Sequence, residues 1–281
     1  MPDTLRTEKQ DGVFSIVLTR AAEYNTITLQ LREELAAAID EGDADTETGV
    51  ILLRAEGPAF CAGYGLDWST EAQSHEASSG RVWDSVADLR GISYFVDVYM
   101  KLWYAYKPTI AAVQGWCIAG GTDMVLCADM IVAGEGASFG YPPSRVWGTP
   151  TTAMWVYRLG LERAKRYLLT GDEIKAAEAA RIGLILEAVP DDELQAHAME
   201  LATRMAKLPA NQLVMLKLLC NQTAENMGLT SSRTLGSLFD GIARHTQEGL
   251  DFVSRSQEIG IREAVRERDD PFGDYGSRKK S

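Results

Sequence analysis

Two short segments carry residue types that could hold a developing negative charge. The first is Gly57-Pro58-Ala59-Phe60-Cys61-Ala62-Gly63-Tyr64-Gly65-Leu66-Asp67, and the second is Gly115-Trp116-Cys117-Ile118-Ala119-Gly120-Gly121-Thr122-Asp123. Each follows an apolar run. Glycines in such turns admit positive φ or a close backbone approach. The first N–H groups of a helix lack intrahelical acceptors and sit at the positive end of its dipole. Two turns aimed at one point would hold a carbonyl oxygen that becomes negative during reaction. Taken singly, a Gly-Gly turn is more often structural. Asp123 adds a carboxylate beside the second turn, either a general acid–base or a group that satisfies the helix start. No GxGxxG or GxxxxGK[ST] pattern occurs, so no nucleotide phosphate cradle is expected. The histidines (His75, His197, His245) show no metal-ligand spacing and no Ser–His–Asp arrangement, and no metal is expected.

The elements that must position these turns follow from periodicity. Residues 13–18 read as a strand, and 31–39 as a helix with Leu31, Leu35, Ala38 and Ile39 on one face and Thr28 as its N-cap. Residues 49–53, 109–113 and 130–133 are continuous apolar runs suited to strands covered on both faces. Strands separated by helical segments predict an α/β fold with largely parallel pairing. Residues 69–80 are small and polar and read as a mobile loop. Residues 81–106 are helix-compatible and rich in aromatics, which form either core or the wall of an apolar substrate pocket. Beyond residue 162 the pattern is helical, over 162–170, 176–182, 192–207, 211–223 and 231–258, with Pro209 separating two helices. The expected division is an α/β core over 1–200 and a helical region over 201–281.

With 40 acidic against 28 basic residues the net charge is −12, and 46% of the chain is hydrophobic. That balance is globular, and it offers no basic surface to a nucleic acid. The basic run Arg278, Lys279 and Lys280 reads as a solvated tail. No apolar stretch is long enough for a membrane span and no signal sequence is visible. Cys61, Cys117, Cys127 and Cys220 have no CxxC spacing and read as buried thiols of a reducing compartment, so a cytoplasmic location is expected.

Several segments together resemble the crotonase (enoyl-CoA hydratase/isomerase) superfamily. They are Ala59-Phe60-Cys61-Ala62-Gly63 with Leu66, residues 107–115, Ala119-Gly120-Gly121-Thr122-Asp123, residues 127–133, Ala137-Ser138-Phe139-Gly140, Leu169-Thr170-Gly171 and residues 176–184. Residues 20–25, including Ala22, look like a variant of the family's early CoA-contact segment. The resemblance runs from about residue 10 to about residue 255. It implies a crotonase-type spiral of ββα units, a helical C-terminal trimerisation region and a homotrimer or dimer of trimers. It also implies an acyl-CoA substrate, with CoA as part of the substrate and no separate cofactor. Carried over by position, the thioester carbonyl would be held by the N–H groups of Tyr64 and Gly120. Ala62, Gly63, Gly121, Tyr141, Ser144 and Arg145 would contact substrate, and Asp123 would act as acid–base.

The sequence departs from that pattern in two places. The first family glutamate is Asp123 here, one methylene shorter. The second is expected just after Phe139-Gly140-Tyr141-Pro142 and falls on Pro143, or on Ser144 if the extra residue before Gly148 is placed earlier. Neither can serve as a carboxylate base. Tyr141, Ser144, Arg145, Thr149 and Tyr64 remain as polar groups beside the turns. Arg145 is either a partner for an acyl-group carboxylate or an ordinary surface or inter-subunit ion pair. Hydratase or isomerase chemistry is expected. A different crotonase reaction (C–C hydrolysis or dehalogenation) and a non-catalytic acyl-CoA binding protein are the alternatives.

Overall fold

The computed structural model describes residues 4–65, 72 and 80–275. Two sheets form its frame. The larger has the order β1 (Leu5–Gln10), β2 (Val13–Leu18), β3 (Val50–Ala55), β5 (Thr109–Val113), β7 (Met130–Gly134) and β10 (Glu187–Val189). Only β1 and β2 pair antiparallel; every other neighbour is parallel. The smaller sheet has the order β4 (Ala59–Cys61), β6 (Trp116–Ile118), β8 (Ser138–Gly140) and β9 (Ile174–Lys175). Each turn of the spiral contributes one strand to each sheet: β3 then β4, β5 then β6, β7 then β8.

The large sheet is covered on both faces across β2, β3, β5 and β7, which is why those strands read as largely apolar runs. Phe14, Ile16, Leu18, Ile51, Leu53, Ala111, Val113 and Ile131 face the main core. Their alternating neighbours Val13, Val50, Leu52, Ile110, Ala112 and Val132 pack on Leu194, Ala198 and Ala202 of a helix on the other face. Helix α1 (Leu29–Ala44) begins as expected at Thr28, whose hydroxyl accepts from the Leu31 N–H, and it buries Leu31, Leu35, Ala38 and Ile39.

Helix α2 (Ser85–Tyr104) occupies the aromatic-rich segment and is capped by Asp84. Its aromatics divide: Phe95 and Tyr99 are buried, whereas Tyr94 and Tyr104 are exposed. Helix α3 (Gly120–Val125) opens at the second glycine turn, and α4 (Met154–Leu159), α5 (Leu161–Leu168) and α6 (Ala176–Ile182) follow. The C-terminal part comprises α7 (Leu194–Ala206), α8 (Ala210–Asn226), α9 (Leu229–Arg244), α10 (Gln247–Ile259) and α11 (Ile261–Asp269).

The single helix expected over 231–258 is two. The chain breaks at His245 and Thr246, and the Thr246 hydroxyl accepts from the Gly249 N–H to start α10. Cys61, Cys117 and Cys127 are buried, but Cys220 is exposed on α8, which corrects the expectation for that thiol. The loop expected over 69–80 falls almost wholly outside the described residues, and the basic tail lies outside them. Among the described residues no helix is long and apolar enough to cross a membrane.

Candidate active site

The two glycine turns meet. In the first, Ile27 donates to the Gly63 carbonyl and accepts from the Gly65 N–H, so the intervening Tyr64 turns its own N–H to the opposite side. Gly63 has φ +89°, a conformation glycine adopts without penalty. In the second, Ala119 precedes α3, and Gly120 is its first residue, where the N–H has no intrahelical acceptor. The ring of Tyr64 lies so close over Gly120 that a Cβ there would come within 2.7 Å of it. Behind, a Cβ on Gly121 would stand 2.3 Å from the Cys61 carbonyl oxygen, so glycine lets α3 seat against β4.

A cavity of about 380 Å³ opens at this junction. Tyr64, Ala119 and Gly120 form one side of it. Leu29, Ile92, Phe95 and Trp147 supply apolar wall, and Tyr141, Pro143 and Gly148 come from the loop after β8. The Tyr99 hydroxyl donates to the Tyr64 hydroxyl at 3.1 Å, and Phe95 meets the Tyr64 ring edge-on. Burial raises the Tyr64 phenol well above its ordinary value, so it stays protonated. Tyr141 donates to the Thr149 carbonyl at 2.7 Å.

Of the residues the sequence singled out, the cavity brings together Tyr64, Gly120 and Tyr141. Gly63 and Gly121 lie beneath them as backbone support. The Ala62 N–H donates to the Tyr24 carbonyl, and Ala22 is exposed in a short 3₁₀ turn. Ser144 and Arg145 are not brought to the cavity. The Ser144 hydroxyl donates to the Tyr141 carbonyl. Arg145 is neither a surface pair nor a free cation: its side chain is 2% exposed, bonded to Asp269 and Asp274, with Phe272 stacked 3.9 Å from the guanidinium. Both expectations for Arg145 give way to an intrachain clamp on the C-terminal segment.

Asp123 also lies outside the cavity lining. One carboxylate oxygen accepts from the Thr151 N–H at 2.9 Å and the Thr151 hydroxyl at 3.0 Å, and the other faces the Thr152 hydroxyl at 3.5 Å. Burial pushes its pKa up to about 7, against the lowering effect of those hydrogen bonds. Between its ordinary 3.8 and 7 the folded chain keeps a proton that the unfolded chain releases. Its favourable contribution is therefore complete only below the ordinary value and is lost as pH rises through 7. Asp123→Asn can keep all three contacts, its amide oxygen accepting from Thr151 and its NH₂ facing Thr152. The variant is expected to gain about 2 kcal/mol relative to the parent between pH 5 and pH 8. Urea unfolding at the two pH values measures this; a constant difference would show that Asp123 is ionised throughout.

Charged groups that sequence reasoning passed over also line the cavity: Arg32 on α1, Asp88 on α2, and Asp240 and Arg244 on α9. The last two are an i, i+4 pair of a kind common on solvated helices, so nothing local ties them to the glycine turns.

Residues 8–257 match the family model described as Enoyl-CoA hydratase/isomerase. The chain belongs to the enoyl-CoA hydratase/isomerase family. A crystal structure of enoyl-CoA hydratase from Mycobacterium smegmatis is 42% identical, with a TM-score of 0.91 over 97% of this chain and 95% of that one. A structure of an enoyl-CoA hydratase/isomerase from Xanthobacter autotrophicus is 27% identical, with a TM-score of 0.87 over 96% and 99% of the two chains. The Mycobacterium bovis protein named "Probable enoyl-CoA hydratase echA8" is 27% identical over 96% of this chain and 98% of its own length. Membership in this crotonase family makes the protein an enzyme of a lyase/isomerase group and agrees with the spiral of paired strands and the helical C-terminal part.

Proposed function

We propose that this enzyme acts on an enoyl-CoA thioester, holding the thioester carbonyl oxygen between the N–H groups of Tyr64 and Gly120. The observation that carries the reading is the meeting of the two glycine turns at one side of a cavity with apolar walls. Two fixed N–H donors stabilise the oxygen as it gains charge, and removing one such donor typically costs about 3 kcal/mol of barrier. The resulting enolate-like state opens double-bond migration and water addition to the chain. Leu29, Ile92, Phe95 and Trp147 would cover the acyl group, and CoA enters as part of the substrate.

In this proposal Asp123 works through position. Its bonds to Thr151 and Thr152 tie the chain after Gly148 to the first turn of α3, the turn that carries Gly120. We also propose a homotrimer or dimer of trimers. Met215, Leu216 and Leu219 on α8 and Leu235 and Phe239 on α9 are exposed, beyond what scattered surface apolar residues require.

Incubating the full chain with short and long 2-enoyl- and 3-enoyl-CoA thioesters, with products read by mass spectrometry and chromatography, tests the reading. Addition of water or a shifted double bond is the expected result. Tight binding with no product would favour an acyl-CoA binding protein, and release of a carbon fragment or halide from suitable thioesters would favour another crotonase reaction. Sedimentation of the same sample reads the assembly.

A further inference from the structure

The cavity holds a carboxylate that holding the thioester oxygen does not require. Asp240 enters from α9, far along the chain from both glycine turns. One of its oxygens accepts from the Thr149 N–H at 3.3 Å, and the other accepts from Arg244 Nε at 3.3 Å. Arg244 Nη2 donates in turn to Asp88 Oδ1 at 2.7 Å. The second oxygen of Asp88 is buried and has no hydrogen-bond partner among the described residues. It packs against Gly241, where a Cβ would come within 2.3 Å of it. This is a built arrangement: two carboxylates from two helices share one guanidinium beside the site where the thioester would sit.

The location of Asp240 Oδ1 is informative. A Cβ on Gly148 would lie 2.8 Å from Pro143 Cβ, 3.5 Å from Asp240 Oδ1 and 3.6 Å from the Tyr141 hydroxyl. The carboxylate and Pro143, the residue at which the local sequence offers no acid or base, thus both border Gly148 in the cavity wall. Two carboxylates already flank Arg244, which disfavours an anionic acyl group as its ligand. An ionised carboxylate has room for about four hydrogen bonds, and two long ones leave Asp240 capacity to take a proton.

We propose that Asp240 is the proton-transfer residue facing the acyl chain, oriented by Arg244 and the Thr149 N–H. The proposal rests on the thioester reading of Tyr64 and Gly120. The Asp240 carboxylate takes a proton from the α-carbon of a 3-enoyl thioester. The C–H electron pair becomes a double bond to the carbonyl carbon, and the carbonyl pair moves to the oxygen held by the two N–H groups. Return of that pair re-forms the carbonyl and shifts the chain double bond by one position. The proton passes from Asp240 to the γ-carbon. Atoms and charge balance without a further reactant.

Burial pushes the Asp240 carboxyl up to about 6, a rise that Asp88 adds to and that Arg244 and the Thr149 N–H oppose. The other titratable groups that feel its charge are Asp123, Tyr64 and Tyr141, and Arg32 lines the same cavity from α1. Such a value suits proton transfer near neutral pH.

The test uses the full chain, a 3-enoyl-CoA for turnover and a non-reacting acyl-CoA thioether for binding. Asp240→Asn is expected to lower kcat about 100-fold or more, while the thioether Kd stays within about threefold. Asp240→Glu is expected to recover about tenfold of that loss. In Arg244→Gln the carboxylate loses its nearest cation, so the limb of the kcat/KM–pH profile due to Asp240 moves to higher pH. Should Asp240→Asn not fold, that limb decides, and an unmoved limb overturns the proposal. An Asn variant that folds and keeps kcat within about threefold also overturns it, leaving the thioester reading intact. A parent enzyme that binds no acyl-CoA thioether overturns both.

Discussion

Gly121→Ala is expected to lower turnover by about 100-fold and cost about 3 kcal/mol of stability, although it adds one methyl group. The added Cβ would stand 2.3 Å from the Cys61 carbonyl oxygen and 2.9 Å from Cys61 Cβ, both fully buried in β4. Backbone on one side and a packed strand on the other leave no flexible side chain to give way. The first turn of α3 must therefore move off β4, and Gly120 moves with it. In the proposed carbonyl site, the Tyr64 and Gly120 N–H groups would then no longer converge on one oxygen. Steady-state kinetics with urea unfolding distinguishes the outcomes. A variant with parental kcat would show that the spacing of the two donors does not matter to the reaction.

Arg145→Ala is expected to destabilise the chain by about 3 kcal/mol and to free the segment after α11. The guanidinium donates to Asp269 at 2.9 Å and to both oxygens of Asp274 at 2.8 Å, and Phe272 and Tyr275 lie over it. Its removal leaves Asp269 with its bond to Arg268 and Asp274 with backbone N–H donors such as that of Glu173. Arg145→Lys recovers little, because an ammonium cannot present the planar fork that meets two carboxylates. Hydrogen exchange over residues 261–275, with urea unfolding, is the measurement. A loss below about 1 kcal/mol with unchanged exchange would place this clamp among surface pairs.

What the residues reveal of the fold depends on how local the constraint is. β3, β5 and β7 are legible because burial on both faces writes a continuous apolar run. The turns at Gly63 and Gly121 are legible because positive φ and a close backbone contact each exclude larger residues. The three-residue strands β4, β6 and β8 are too short to show a period, and the break at His245 leaves the apolar spacing of α9 and α10 intact. Asp240 and Arg244 look like any i, i+4 pair on a solvated helix; only the packing of α9 along α2 turns them inward. Arg145 is similar: its identity shows a cation, but its partners lie 124 and 129 residues away. The motif around Asp123 is read correctly as a helix start, while the side chain's turn toward Thr151 and away from the cavity is set by the loop after Gly148.

The cavity is assembled from stretches of one chain that lie far apart in sequence. Tyr64 and Gly120 belong to the repeated strand turns, whereas Asp240 and Arg244 ride on a helix that contributes nothing to either sheet. If Tyr64, Gly120 and Asp240 act as proposed, activation of the carbonyl and choice of reaction can change separately. Substitutions on α9 would then alter which carbon loses or gains a proton without disturbing the turns. Grafting the 229–244 helix face between relatives would be a direct route to exchanging one family reaction for another on an unchanged frame.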